Sequence, residues 1–272
     1  MNTAIPLISC VINVDTREEN SENKEMFKGV VARDFLDAGV INKKNFFKGF
    51  DVEYIVFVDE HLPLTDQQLS FLKQESDVLI IRKHNKKFED QDNFPAFNDL
   101  NYLTALFSAR GKYIFHFDGD VAAFTSSQQP IIDMIYSLEK VDYISYPSHW
   151  SPNPTHDESF GGKYWTSTRF FACKRETLNF GEILKCQLDY DYWEQTYPVP
   201  RLCHWTEHIL SSIAWNKGNG VIYPPMELDR YAIFTWETYD KYLYNRLNNL
   251  SYEEVKEWIS KRGIHYPNNI RV

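Results

Sequence analysis

A chain of 272 residues with 38 acidic against 29 basic side chains carries a formal charge of −9, and 43% of its residues are hydrophobic. That is enough length and apolar content for a sizeable α/β core, while the acidic balance excludes non-specific binding to nucleic acid or anionic membrane, which needs concentrated Lys and Arg. Cys10, Cys173, Cys186 and Cys203 form no CxxC pair, which excludes a zinc ribbon or a small disulfide framework and points to a reducing cytoplasm.

The N-terminus has no positively charged region, and the apolar run that reaches Val14 is too short for a transmembrane span. Leu7 to Val14 reads instead as a first strand, because Ile8, Val11, Ile12 and Val14 are β-formers and the polar Asp15-Thr16-Arg17 follows. Ser21 to Ala38 carries Met26, Val30, Phe35 and Leu36 at helical spacing. Val52 to Val58 is a second strand ending at Asp59-Glu60. Asp66 to Lys73 is a helix with an acid near its start, and Asp77 to Arg82 is a third strand, followed by Lys83, Lys86 and Lys87. From Phe97 to Gly111, apolar residues at 97, 100, 103, 106 and 107 fit one helix face closed by a glycine, and Tyr113 to Phe117 follows as a buried strand.

Strand and helix alternate over this half, the pattern of βαβ crossovers and a mainly parallel sheet. Ligands of such sheets lie at the carboxyl ends of the strands. Thr16 and Arg17, Asp59 and Glu60, Arg82 and Lys83, and Asp118 and Asp120 are therefore expected to converge on one rim. Asp118-Gly119-Asp120 stands out among them. Two carboxylates one residue apart at a strand exit can share a hard divalent cation, whose shell water and phosphate oxygens complete.

The order of helix, glycine, strand and Asp-x-Asp resembles the central segment of GT-A fold glycosyltransferases, on the residues Ala109, Gly111, Tyr113, Asp118 and Asp120. The likeness extends more weakly over most of the chain. It implies an α/β protein of GT-A type: a Rossmann-like, mainly parallel central sheet flanked by helices, with a small β segment and C-terminal helices. It implies Mn2+ or Mg2+ ligated by Asp120, with Asp118 approaching the ribose or a metal-bound water, and nucleotide contacts from Thr16, Arg17 and Asp59 at the first two strand ends.

Further along, Gln128 to Glu139 reads as a helix, Tyr143 to Tyr146 as a short strand, His149 to Gly162 as a long loop and Lys163 to Cys173 as an alternating β segment. Asp189-Tyr190-Asp191 repeats the acidic spacing, but no apolar strand leads into it, which favours a helical or loop surface. Trp205 to Trp215 is an amphipathic helix, followed by a glycine turn, a short strand from Val221 and Pro224-Pro225. That order is similar to the Glu-Asp motif of GT-A enzymes, whose acid opens a helix. Here Glu207-His208 replaces Glu-Asp, so the resemblance gives Glu207 as catalytic base with His208 as the alternate. Cys203, His204 and His208 have a spacing suited to zinc but no fourth ligand. Trp150, Trp165, Trp193 and Trp205 are candidate stacking surfaces for sugar rings. Glu237 to Asn249 and Ser251 to Arg262 read as two helices, with a capping box at Ser251 and Glu254; the resemblance, in which many members add a metal-ligating histidine beyond the base, offers His265 as a further metal candidate.

No linker interrupts the chain, so residues 1–272 read as a single domain: a nucleotide-sugar half at 1–120, an acceptor and base half at 121–235, and a helical region at 236–272. The resemblance implies a metal-dependent, inverting transfer of a sugar from a nucleoside-diphosphate sugar donor to a hydroxyl of a glycan or other acceptor. The alternatives are a sugar-nucleotide nucleotidyltransferase and a non-catalytic carbohydrate-binding protein. The first usually has a glycine-rich phosphate loop after its first strand, where this chain has Asp15-Thr16-Arg17-Glu18-Glu19-Asn20.

Overall fold

The computed structural model describes residues 7–16, 36–83, 103–119, 121–145, 170–197, 206–217, 221–222, 232–235 and 248–262. Its strands are β1 (Ile8–Asp15), β2 (Val52–Glu60), β3 (Val78–Lys83), β4 (Tyr113–Asp118), β5 (Ala122–Thr125), β6 (Tyr143–Ser145), β7 (Phe170–Lys174), β8 (Val221–Ile222) and β9 (Ala232–Thr235). Its helices are α1 (Leu36–Phe46), α2 (Asp66–Glu75), α3 (Gln129–Leu138), α4 (Phe180–Leu188), α5 (Tyr190–Thr196), α6 (Thr206–Lys217) and α7 (Tyr252–Arg262). Residues 103–108 are helical as well.

Seven strands form one sheet in the order β3-β2-β1-β4-β7-β6-β8. All run the same way except β7, which is antiparallel to both β4 and β6. β5 and β9 pair separately as a two-stranded antiparallel sheet. The fold is thus the mixed α/β architecture expected from the sequence, with a mainly parallel central sheet flanked by helices and a small second β segment.

Because side chains alternate across a strand, the sheet divides its apolar residues between two cores. Ile8, Cys10, Ile12 and Val14 of β1 pack with Phe115 and Phe117 of β4 beneath Val40 and Phe46 of α1, Leu72 of α2 and Met134 of α3. On the opposite face Val11, Ile55, Phe57 and Ile114 lie under Leu103 and Leu106, Ile183 of α4, Trp193 of α5 and Ile209 and Ile213 of α6.

The turn that launches β4 is held by a buried acid. Glu53 accepts hydrogen bonds from Ser9 Oγ at 2.5 Å, Arg110 N at 2.5 Å and Gly111 N at 3.2 Å, and pairs with Arg110 Nε at 2.8 Å. A Cβ on Gly111 would lie 2.5 Å from the main-chain nitrogen of Ser9. Glycine therefore serves close packing on β1 here rather than a left-handed helix stop, since among the described glycines only Gly49 has positive φ.

Several sequence-based expectations need revision. Of the helix expected from Ser21 to Ala38, residues 21–35 lie outside the described residues; α1 is described from Leu36 to Phe46, beyond the expected end, and its inner face includes Asn42 and Lys43, polar residues that apolar periodicity does not count. β5, β9 and α4 have no counterpart among the elements expected from the sequence. Of the expected β segment from Lys163, the described part begins at Phe170 and runs to Lys174. The loop from His149 to Gly162 and most of the helix from Glu237 lie outside the described residues. Helices α2, α3 and α7 come within two residues of expectation at each end.

Candidate functional site

Adjacent parallel strands in register bring their last residues side by side. Asp15 of β1 is opposite Asp59 of β2, Asp59 is opposite Arg82 of β3, and Asn13 is opposite both Phe57 and Asp118. Residues 13 and 15 are two apart on one strand, so Asp118, Asp15, Asp59 and Arg82 occupy the same face of the sheet at its C-terminal rim. The convergence expected from the strand order is present for Asp59, Arg82 and Asp118, and Asp15 joins them.

The rim is organised around the β2 exit. His61 Nε2 is 3.8 Å from Asp15 Oδ1 and 3.6 Å from Asp59 Oδ2, and Arg82 Nη1 is 4.0 Å from Asp59 Oδ1. One ligand atom each from Asp15, Asp59 and His61 falls within 4.8 Å of the others, a spacing able to hold a cation. Sequence reading missed this grouping because Asp15 and His61 are 46 positions apart and meet only through strand register. Thr16 is fully buried. Its hydroxyl accepts from Leu62 N at 2.9 Å and lies 3.2 Å from the carbonyl of Asp59 and 3.1 Å from that of Leu62. It therefore shapes the loop that carries His61.

β4 delivers Asp118 half-buried to the centre of the rim. The chain then turns tightly: Gly119 N donates to Asn13 O at 2.5 Å and Val121 N to Asp118 O at 3.1 Å. A Cβ at Gly119 would sit 2.9 Å from Asn13 O and 3.0 Å from Val14 Cγ2, so the central residue of Asp118-Gly119-Asp120 has no room for a side chain. Arg17, Asp120 and His265 lie outside the described residues, as do Trp150, Trp165, Cys203, His204 and Trp205. The neighbouring carboxylates of Asp15 and Asp59 offer the hard oxygen donors that Mn2+ and Mg2+ favour.

Glu207 and His208 fall in the first turn of α6. His208 is buried, 5% exposed. Trp193, a candidate sugar platform from sequence, is only 2% exposed, and its indole N–H donates to Ser212 Oγ at 2.9 Å, so it is core. The second Asp-x-Asp is a helix start: Asp189 caps α5 by accepting from Tyr192 N at 2.9 Å. Among the described residues no helix is long and apolar enough to cross a membrane.

No family model and no curated protein matches the chain. Solved structures do, and they include nucleotide-diphospho-sugar transferases of GT-A type. The mannosyltransferase PcManGT from Pyrobaculum calidifontis, solved with GDP-Man and Mn2+, is 14% identical over 82% of this chain and 56% of its own, with a TM-score of 0.42. The present chain thus spans little more than half that enzyme's length. The galactosyltransferase LgtC, solved with donor and acceptor sugar analogues, is 14% identical over 79% of this chain and 72% of its own, with a TM-score of 0.46. A cytidylyltransferase from Leptospira borgpetersenii is 15% identical over 98% of this chain and 99% of its own, with a TM-score of 0.47. Identities this low concern fold alone, and TM-scores below 0.5 add nothing to the assignment of an activity.

Proposed function

We propose that the protein is a metal-dependent glycosyltransferase that moves a sugar from a nucleoside diphosphate to an acceptor hydroxyl with inversion. The observation that carries this reading is the placement of Asp118 at the mouth of the central parallel strand, on the same face as Asp15, Asp59 and Arg82, in a turn too tight for any residue but glycine at 119.

In this reading Asp120 and Asp118 hold Mn2+ or Mg2+, which neutralises the charge developing on the departing diphosphate. Arg82, tethered by Asp59, adds a local positive charge to a rim that is otherwise acidic. Asp59 contacts the nucleoside, Arg17 approaches it from the β1 exit, and Thr16 fixes the shape of that wall from below. Glu207 takes the proton of the acceptor hydroxyl. The burial of His208 is the reason to prefer its neighbour. Residues before 120 would serve the donor, and those of the second half the acceptor and the base.

A thermal-shift panel of UDP, GDP, dTDP and CDP, each with Mn2+ and then with chelator, tests the donor half of this reading. One diphosphate should stabilise the protein only with metal, and Asp120→Ala should abolish that shift while leaving the unliganded melting curve unchanged. Labelled nucleotide sugars then test transfer. Full sugar transfer by Asp120→Ala would refute the assignment. Formation of a nucleotide sugar from a nucleoside triphosphate and a sugar phosphate would move the protein to the nucleotidyltransferases.

A further inference from the structure

The inner face of α1 contains a feature that packing does not require. Asn42 and Lys43 are adjacent, 1% and 0% exposed, and both spend their side chains on the main chain just beyond the acidic turn. Asn42 holds residue 123 at two points: its Nδ2 donates to Ala123 O at 3.1 Å and its Oδ1 accepts from Ala123 N at 2.7 Å. Lys43 Nζ donates to the carbonyl of Val121 and stands 5.6 Å from the centre of the Phe117 ring. Asn42 is itself braced, since its Nδ2 lies 2.9 Å from Asn248 Oδ1 and Asn248 Nδ2 donates to Ala38 O at 2.9 Å.

Withdrawing an ammonium from water is costly, and an apolar residue of similar length would fill the same space without that cost. The polar pair is explained by what it grips. On the near side of position 120, Gly119 is bound to Asn13 of β1. On the far side, Val121 and Ala123 are bound to α1. We infer that Asn42 and Lys43 are positioning residues, which hold the turn between Asp118 and Asp120 in its cation-binding arrangement before an ion or a nucleotide arrives. The inference rests on the reading of that turn as the metal site. Lys43 is fully buried, and it meets the residue after position 120 at that residue's main-chain carbonyl. Its value lies in preorganisation, because a turn already held in place spends no binding energy on being ordered.

The test compares the wild-type protein with Lys43→Met and Asp120→Asn, using Mn2+ as the probe and the paramagnetic resonance of the free ion as the readout. Wild type should bind Mn2+ in the presence of its preferred nucleoside diphosphate, Asp120→Asn should not, and Lys43→Met should bind at least about tenfold more weakly while unfolding cooperatively. Equal or tighter Mn2+ binding by Lys43→Met would overturn the inference and leave the metal assignment standing. Absence of Mn2+ binding by wild type would overturn both. Hydrogen exchange on wild type decides the matter should Lys43→Met fail to fold. The amides of Val121 and Ala123 should be as protected in the metal-free protein as with Mn2+ and nucleotide, whereas protection that appears only on adding Mn2+ would overturn the inference.

Discussion

Gly119 N reaches Asn13 O at 2.5 Å, so the acidic turn after β4 rests directly on the main chain of β1. Main-chain atoms cannot swing aside as a side-chain end can. Gly119→Ala would press its methyl group to 2.9 Å from Asn13 O. The expected outcome is a loss of about 1–3 kcal/mol in denaturant unfolding. Metal-dependent nucleotide binding should fall at denaturant-free conditions where the variant is still folded. A variant with unaltered stability would show that the turn yields at this point.

The Asp59 carboxylate stands between His61 and Arg82, 3.6 Å and 4.0 Å away, and the proposed function gives it the nucleoside wall. Asp59→Ala should weaken nucleoside diphosphate binding by about tenfold, the scale of one lost charge-assisted hydrogen bond. It should do so equally in Mn2+ and in chelator, which isothermal titration under both conditions would reveal. If the loss appears only with Mn2+, the trio of Asp15, Asp59 and His61 is itself the cation site.

What the sequence revealed follows its physics closely. Ile55 to Val58 and Tyr113 to Phe117 are largely apolar runs buried on both sheet faces, so hydrophobicity reveals them, and the Asp that follows each marks the rim. The part of α1 beyond Ala38 escaped because two of its core-facing positions are Asn42 and Lys43, and their partners at Ala123 and Val121 are main-chain atoms that no pattern encodes. The grouping of His61 with Asp15 escaped for a related reason, since register between strands is a property of the assembled sheet. Trp193 shows the reverse error: an aromatic with a polar handle suits a sugar cleft or a core equally, and Ser212 provides its partner inside.

Glu53 illustrates the pH dependence this fold should carry. Burial pushes its carboxyl up, but the hydrogen bonds from Ser9 and Arg110 and the Arg110 charge outweigh that and hold it below the usual carboxylate range. A depressed folded-state value means stability that is present above the unfolded value of about 4.3 and lost as pH falls below it. Wild type should therefore lose unfolding free energy from about pH 5 downward, and Glu53→Gln should show a shallower decline over that interval. At neutral pH the Gln variant should be less stable by about 3 kcal/mol, because it retains buried donors that lack their charged acceptor. Urea unfolding at a series of pH values separates the two effects, and parallel curves for both proteins would exclude Glu53 as a titrating contributor.

Burial governs the thiols in the opposite sense. Cys10, Cys173 and Cys186 are free and buried. Desolvation is the leading influence on each and pushes the thiol up, for Cys186 to about 12. Since the thiolate is the reactive form, these three cysteines should be inert to a disulfide reagent at neutral pH in the native protein and react fully in denaturant. Peptide mapping after brief labelling reads this residue by residue. Cys10 is the sensitive reporter, because it sits on β1 under α1, the helix that bears Asn42 and Lys43. In Lys43→Met, a Cys10 that stays unlabelled would show that the helix remains docked and that any loss of Mn2+ affinity arises at the turn itself. Rapid labelling of Cys10 in that variant would instead place the defect in the packing of α1.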